Sequence, residues 1–187
     1  MILNDCAIGF YANQHDMIAP FINSSVKEDE TGKVISYGLS SFGYDIRMGT
    51  EVRFLIPSTR LIDPKAKSNS RNFNQDYEAF TGIIPPNSGI LTVSVEYFKM
   101  PVDVMAIAIG KSTYARCGLI VNITPLEPGW EGYLTIELIN TNPYPIKVYP
   151  GEGIAQLIFF KGRRPALSYA SRSGKYQGQI GVVDAKV

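Results

Sequence analysis

From residue 52 the chain turns to short apolar segments with strand signals. Val52, Phe54 and Ile56 alternate with Arg53 and Leu55, the signature of a half-buried strand. Gly89 to Phe98, Val104 to Ile109, Leu119 to Ile123, Leu134 to Ile139, Ile146 to Tyr149 and Ile154 to Phe160 are dense in β-branched and aromatic residues. Gly, Pro and Asn separate them. Short strands at that spacing predict an all-β sandwich or barrel rather than an α/β sheet. Helical signal is confined to the start: Asn4 or Asp5 would cap a helix to about Gln14, with Ile8, Tyr11 and Ala12 on one face. Lys27 to Lys33 reads as a solvated loop, Ser36 to Arg47 as a connector, and residues 66–82 as a long polar loop.

The length of 187 residues fits one domain spanning 1–187. Such a chain buries roughly 70% of its unfolded surface and needs no staples. A net charge of +1 gives no support to a nucleic-acid polymer as partner. Two distant cysteines make no disulfide framework and point to a reducing compartment. With no signal-peptide pattern at Met1 to Asp5 and no apolar run of spanning length, a cytoplasmic protein without membrane contact is expected.

The chain has one histidine, His15, and no Cys-x-x-Cys, so a zinc-dependent deaminase or a structural zinc site cannot be assembled from ordinary ligands. Phosphate-loop and dinucleotide fingerprints are missing too. Catalysis would have to use carboxylates, Arg, Lys, hydroxyls and Mg²⁺. Three segments could supply it. Gly110 to Gly118 places Lys111, Ser112, Thr113 and Arg116 directly after an apolar run, where hydroxyls, backbone N–H groups and a guanidinium fork can meet phosphate oxygens. The alternative is a solvated turn. In Pro125 to Glu137, alternation puts Leu134, Ile136 and Leu138 on one face and Tyr133, Thr135, Glu137 and Ile139 on the other. Glu137 is disfavoured in mid-strand, so it sits either on a solvated face or in a polar pocket suited to proton transfer. Trp130 is either core or a stacking surface. The tail from Ser171 to Gln179 is either frayed or closes over a ligand. Tyr169, Lys175, Tyr176 and Gln179 would then reach a base and phosphates.

Four ordered motifs are similar to those of the dCTP deaminase family: Lys111 to Leu119, Glu127 to Leu138, Gly153 to Leu157 and Gly174 to Gln179. Met1 to Asp5 and Ile35 to Arg47 match as well, so the resemblance covers nearly the whole chain. It implies a dUTPase-like β-clip fold, a distorted jelly-roll barrel with a short N-terminal helix. It further implies a homotrimer with active sites between subunits, and zinc-independent hydrolysis of dCTP to dUTP and ammonia. The nucleotide would arrive as its Mg²⁺ complex, and dTTP is a candidate inhibitor. Glu137 matches the catalytic glutamate; Ser112 and Arg116 match residues that hold water and base. Lys111, Ser112 and Thr113 match the phosphate-binding turn. Pro125 keeps the carbonyl that positions water. Glu127 and Trp130 fall at the deoxyribose, and Thr135, Ile136, Gln156, Tyr169, Lys175 and Gln179 supply the other nucleotide contacts. Two alternatives share these motifs: a bifunctional enzyme that also cleaves dUTP to dUMP, and a deaminase of C5-modified dCTP. A pure dUTPase fits less well, since its pattern prefers Asp in the hairpin and Phe in the tail.

Overall fold

The computed structural model describes residues 1–55, 73–74, 80–183 and 186. Helix α1 (Asp5–His15) starts where the sequence predicts: the Asn4 side chain accepts a hydrogen bond from the Ala7 N–H at 3.0 Å. Ile8, Tyr11 and Ala12 are its buried residues, and Asp16 ends it in a left-handed conformation (φ 52°). Twelve strands follow among the described residues: β1 (Ile18–Ala19), β2 (Ser25–Asp29), β3 (Gly32–Ser40), β4 (Gly43–Leu55), β5 (Phe73–Asn74), β6 (Ile83–Ile84), β7 (Ser88–Lys99), β8 (Val104–Gly110), β9 (Leu119–Asn122), β10 (Glu131–Asn140), β11 (Ile146–Lys147) and β12 (Gly153–Lys161). A five-residue helix, α2 (Ser112–Arg116), interrupts them.

The main sheet runs β2-β3-β4-β7-β10-β9, with β12 bridging β4 and β8. All of its pairings are antiparallel. Strand β4 joins two layers: its first half pairs with β12 and its second half with β7, with a register shift between Met48 and Val52. Gly49 sits in that shift, where a Cβ would lie 2.8 Å from the Val93 carbonyl oxygen. The core fills from Leu3, Ile8, Met17, Ile18, Tyr44, Ile46, Met48, Ile90, Phe98 and Phe159, each almost wholly buried.

Two expectations are corrected. Lys27 to Lys33 is a hairpin, β2 turning into β3, and Ser36 to Arg47 is strand rather than connector. Both faces of β4 are covered near Tyr44, Ile46 and Met48, so Asp45 is buried and Arg47 largely so, and the strand carries no polar–apolar alternation there. Each polar residue there has a partner: Asp45 binds Lys111, and Arg47 binds Glu96, whose side chain has no solvent exposure. Residues 66–72 and 75–79 of the expected polar loop, and Ile56, lie outside the described residues. Among the described residues no helix is long and apolar enough to cross a membrane.

Candidate functional site

Strand β10 carries the alternation read from its sequence. Leu134, Ile136 and Leu138 are buried, while Tyr133, Thr135, Glu137 and Ile139 are half-exposed on the opposite face. Glu137 is opposite Leu91 on β7 and Asn122 on β9. Its Oε2 accepts a hydrogen bond from Asn122 Nδ2 at 2.8 Å. The Ile136 side chain is turned into the core, so this residue can offer a nucleotide only its main chain.

The C-terminal tail is docked on this face. The Tyr133 N–H donates to the Gln179 carbonyl at 3.0 Å, and the Gly178 N–H donates to the Glu131 carbonyl at 2.9 Å. Gln179 Nε2 donates to both the Tyr133 carbonyl and Thr135 Oγ1, each at 2.7 Å. The Trp130 indole is buried in the core and donates to the Tyr176 carbonyl at 2.9 Å. Tyr169 receives the Tyr176 N–H on its phenol oxygen at 3.0 Å, while its own N–H donates to the Pro128 carbonyl. Glu127 is paired with Arg172. Lys175 donates to the Lys186 carbonyl at 3.3 Å. Trp130 therefore packs against the core with its polar edge fastened to the tail.

A second group forms at the far end of β8. The Lys111 ammonium lies 2.6 Å from Asp45 Oδ2 and 3.1 Å from Ser36 Oγ, with both members of the ion pair about nine-tenths buried. Gln156, opposite Asp45 on β12, donates to Ser40 Oγ at 3.1 Å. Ser112, Thr113 and Arg116 are exposed on α2, and the Arg116 guanidinium donates to the Ser112 carbonyl at 3.2 Å. Tyr114 anchors the turn in the core, where burial pushes its phenol well above the usual range. Pro125 is exposed at the start of the loop leading to β10.

The turn after α2 meets the chain after β10, where the Gly118 carbonyl accepts from the Thr141 N–H and hydroxyl and the Cys117 carbonyl accepts from Asn142 Nδ2. Among the described residues, no hydrogen bond or ion pair links Lys111, Arg116 or Gln156 to Trp130, Thr135, Tyr169 or Gln179. Between them β8 and β9 expose Ile107, Ile109 and Ile120, each 40–54% accessible. No cluster of three or more His, Cys, Asp or Glu among the described residues could hold a metal ion. Sequence reasoning gave no role to Asn122 or Asp45. Asn122 acquires one only through the β9–β10 register. Asp45 lies within a stretch matched to a family but carries no chemical signal until Lys111 is brought to it.

A family model described as dCTP deaminase-like matches residues 12–162. A dCTP deaminase from Herpetosiphon aurantiacus is 53% identical over 173 residues, 91% of either chain. Another from an Acidovorax species is 50% identical over 187 residues, covering 97% of this chain and 96% of its own. Among solved structures, the 2′-deoxycytidine 5′-triphosphate deaminase from Agrobacterium tumefaciens aligns with a TM-score of 0.64 at 19% identity. That alignment spans 86% of this chain and 48% of the other, and it is a likeness of fold. The mainly β architecture with a short N-terminal helix, expected from the sequence, is the one present.

Proposed function

The chain belongs to the dCTP deaminase-like family, and from that premise we propose that it hydrolyses dCTP to dUTP and ammonia. The observation that carries the reading is Glu137: a carboxylate in the middle of β10, half-buried, on the face closed by the docked tail.

In this reading water adds to C4 of the cytosine ring. Glu137 accepts the water's proton as the C–O bond forms and passes it to N3; it then carries the remaining C4 hydroxyl proton to the exocyclic amine as the C–N bond breaks. Ammonia leaves and the C4 carbonyl of uracil remains. General acid–base assistance of this kind is worth roughly 10²–10⁴ in rate. Ser112 and the Pro125 carbonyl orient the water, which lowers the entropic part of the barrier. Arg116 supports the charge developing at the base and Glu137. Lys111, Ser112, Thr113 and Lys175 meet the triphosphate, and Mg²⁺ enters as part of the substrate complex. Glu127 and Trp130 flank the sugar; Thr135, Ile136, Gln156, Tyr169 and Gln179 complete the enclosure.

The apolar surface that β8 and β9 expose on either side of the α2 turn supports a site built between copies of the chain. One copy supplies the α2 turn, and another supplies β10 and its tail. Ile107, Ile109 and Ile120 are the exposed apolar surface such an assembly would cover, and a homotrimer is the assembly we propose. The cysteine usage fits a reducing, cytoplasmic setting.

The test is to incubate the purified protein with dCTP and Mg²⁺, with and without a zinc chelator, and to follow ammonia and pyrophosphate together. Ammonia and dUTP without pyrophosphate, unaffected by the chelator, are expected. Stoichiometric pyrophosphate would make the enzyme bifunctional. Absence of ammonia from dCTP, with release from a C5-methylated analogue, would move the substrate assignment.

A further inference from the structure

The Asn122 side chain lies directly on the Glu137 carboxylate. It stands on β9, the last strand of the sheet, at the position directly opposite Glu137. Side chains facing each other in an antiparallel pair have their Cβ atoms about 5 Å apart. That separation lets a short amide bridge to a carboxylate without bending either strand. A carboxylate can only accept, so the group facing it must be the amide NH₂ and not its carbonyl. The orientation of Asn122 is therefore dictated chemically.

We infer that Asn122 is a positioning residue for Glu137: its amide holds the carboxyl plane and, by donating to Oε2, favours the ionised form that accepts the water's proton. The inference rests on the proposed role of Glu137 for its catalytic meaning, but the contact and its electrostatic effect stand independently. A donor directed at a carboxylate oxygen stabilises the charged form and lowers its pKa. The same donor removes rotational freedom from a side chain that must meet a water in one orientation.

The other groups around Glu137 are the same in wild type and in any Asn122 variant. On β7 its opposite is Leu91, which does not titrate. One strand further, Arg53 on β4 is opposite Leu91 and lies 3.6 Å from Glu51. On β10 itself the nearest same-face side chains are Thr135 and Ile139, with Tyr133 beyond. On the tail, Gln179 and the Val183 N–H both address Thr135, and Arg172, Lys175, Tyr176 and Lys186 are the charged and titratable groups of its described residues. The functional assignment adds Arg116. Because these groups are common to every variant, the difference between Asn122→Leu and wild type reads the contribution of the amide against that shared background.

The test uses the full chain carrying ¹³C at the glutamate side-chain carboxyl, with the Glu137 resonance assigned by its loss in Glu137→Gln. Its titration is followed by NMR in wild type, Asn122→Leu (same size, no donor) and Asn122→Asp (same shape, acceptor for donor). The Leu variant should titrate about one pH unit higher, the worth of one hydrogen bond to a charged group. The Asp variant should titrate higher still, because two facing carboxylates resist joint ionisation. The acid limb of kcat/KM for ammonia release should move by the same amount, and adding Asn122→Leu to Glu137→Gln should cost nothing further. Unchanged oligomer mass and circular dichroism in the Asn122 variants separate this role from a structural one. An unmoved carboxyl titration overturns the inference whatever the activity. A moved titration with an unmoved rate profile overturns the catalytic part. A moved titration in a protein that releases no ammonia from dCTP sustains the contact and its effect while refuting the proposed function.

Discussion

Gln179 spends both hydrogens of its side-chain amide on β10, one on the Tyr133 carbonyl and one on Thr135 Oγ1, at 2.7 Å each. Its backbone closes the same register through a bridge to Gly132 and the bond from the Tyr133 N–H. One residue thus fastens the tail two positions away from Glu137. In Gln179→Leu the backbone bond remains but two side-chain bonds are lost. Each such bond is worth about 1 kcal/mol. The expected outcome is a tail that opens roughly ten- to thirtyfold more often, read as faster amide exchange over residues 174–182. The thermal midpoint should barely change, and KM for the nucleotide should rise.

Glu137→Gln keeps shape and one hydrogen-bond acceptor and removes the base. Turnover should fall by roughly 10²–10⁴ with unaltered folding, measured as ammonia release alongside circular dichroism. Near-wild-type turnover in the folded variant would remove Glu137 from the mechanism.

Lys111 and Asp45 form a pair largely withdrawn from water. Removing one partner of a buried pair leaves a charge without compensation. Asp45→Ala should therefore cost about 3 kcal/mol, a drop of roughly 6–12 °C in Tm for a chain of this size. Combining it with Lys111→Met should restore most of that loss, because the stranded ammonium is gone. Calorimetry on the two singles and the double variant checks this. The double variant should nonetheless bind triphosphate more weakly, which separates the role of Lys111 in folding from its role at the phosphates.

Glu96 gives a pH signature to the fold. Burial is the main influence on its carboxyl and raises its pKa above the ordinary range, opposed by hydrogen bonds from the Arg47 side chain and backbone. A raised folded pKa means that the native state holds a proton which the unfolded chain has already released. The associated stability is present below the ordinary carboxylate pKa, about 4.3, and is lost as pH rises through the folded value. Compared with Glu96→Gln, which cannot titrate, wild type should lose relative stability as pH increases across that window. Denaturant unfolding of both proteins at several pH values reads the slope; a gain with pH would contradict it.

Much of the candidate site was legible along the chain because its residues keep fixed local spacing. The Lys111 to Arg116 cluster falls on one short turn, and the faces of β10 follow from period-two alternation, so Glu137 could be singled out from Leu134, Ile136 and Leu138. The N-terminal helix was readable from one capping side chain and three apolar positions. The two misread stretches show where local pattern fails. Lys27 to Lys33 is polar because a two-stranded ribbon at the edge of the sheet faces water, and polarity alone does not distinguish a loop from an edge hairpin. Ser36 to Arg47 mixes polar and apolar residues because it holds the end of β3, an exposed turn at Ser41 and Phe42, and the start of β4, where both faces are covered.

What the sequence determined by itself was therefore the local part: element type where one face is buried, and the capped helix. Only the tertiary structure decided partners. Register set Asn122 against Glu137, the β4 crossover brought Asp45 to Lys111, and docking fastened Gln179 to Thr135 and Tyr176 to Trp130. The physical reason is that spacing along a strand is fixed by covalent geometry. Which strand lies beside it, and in what register, is settled by the burial of the whole apolar set at once.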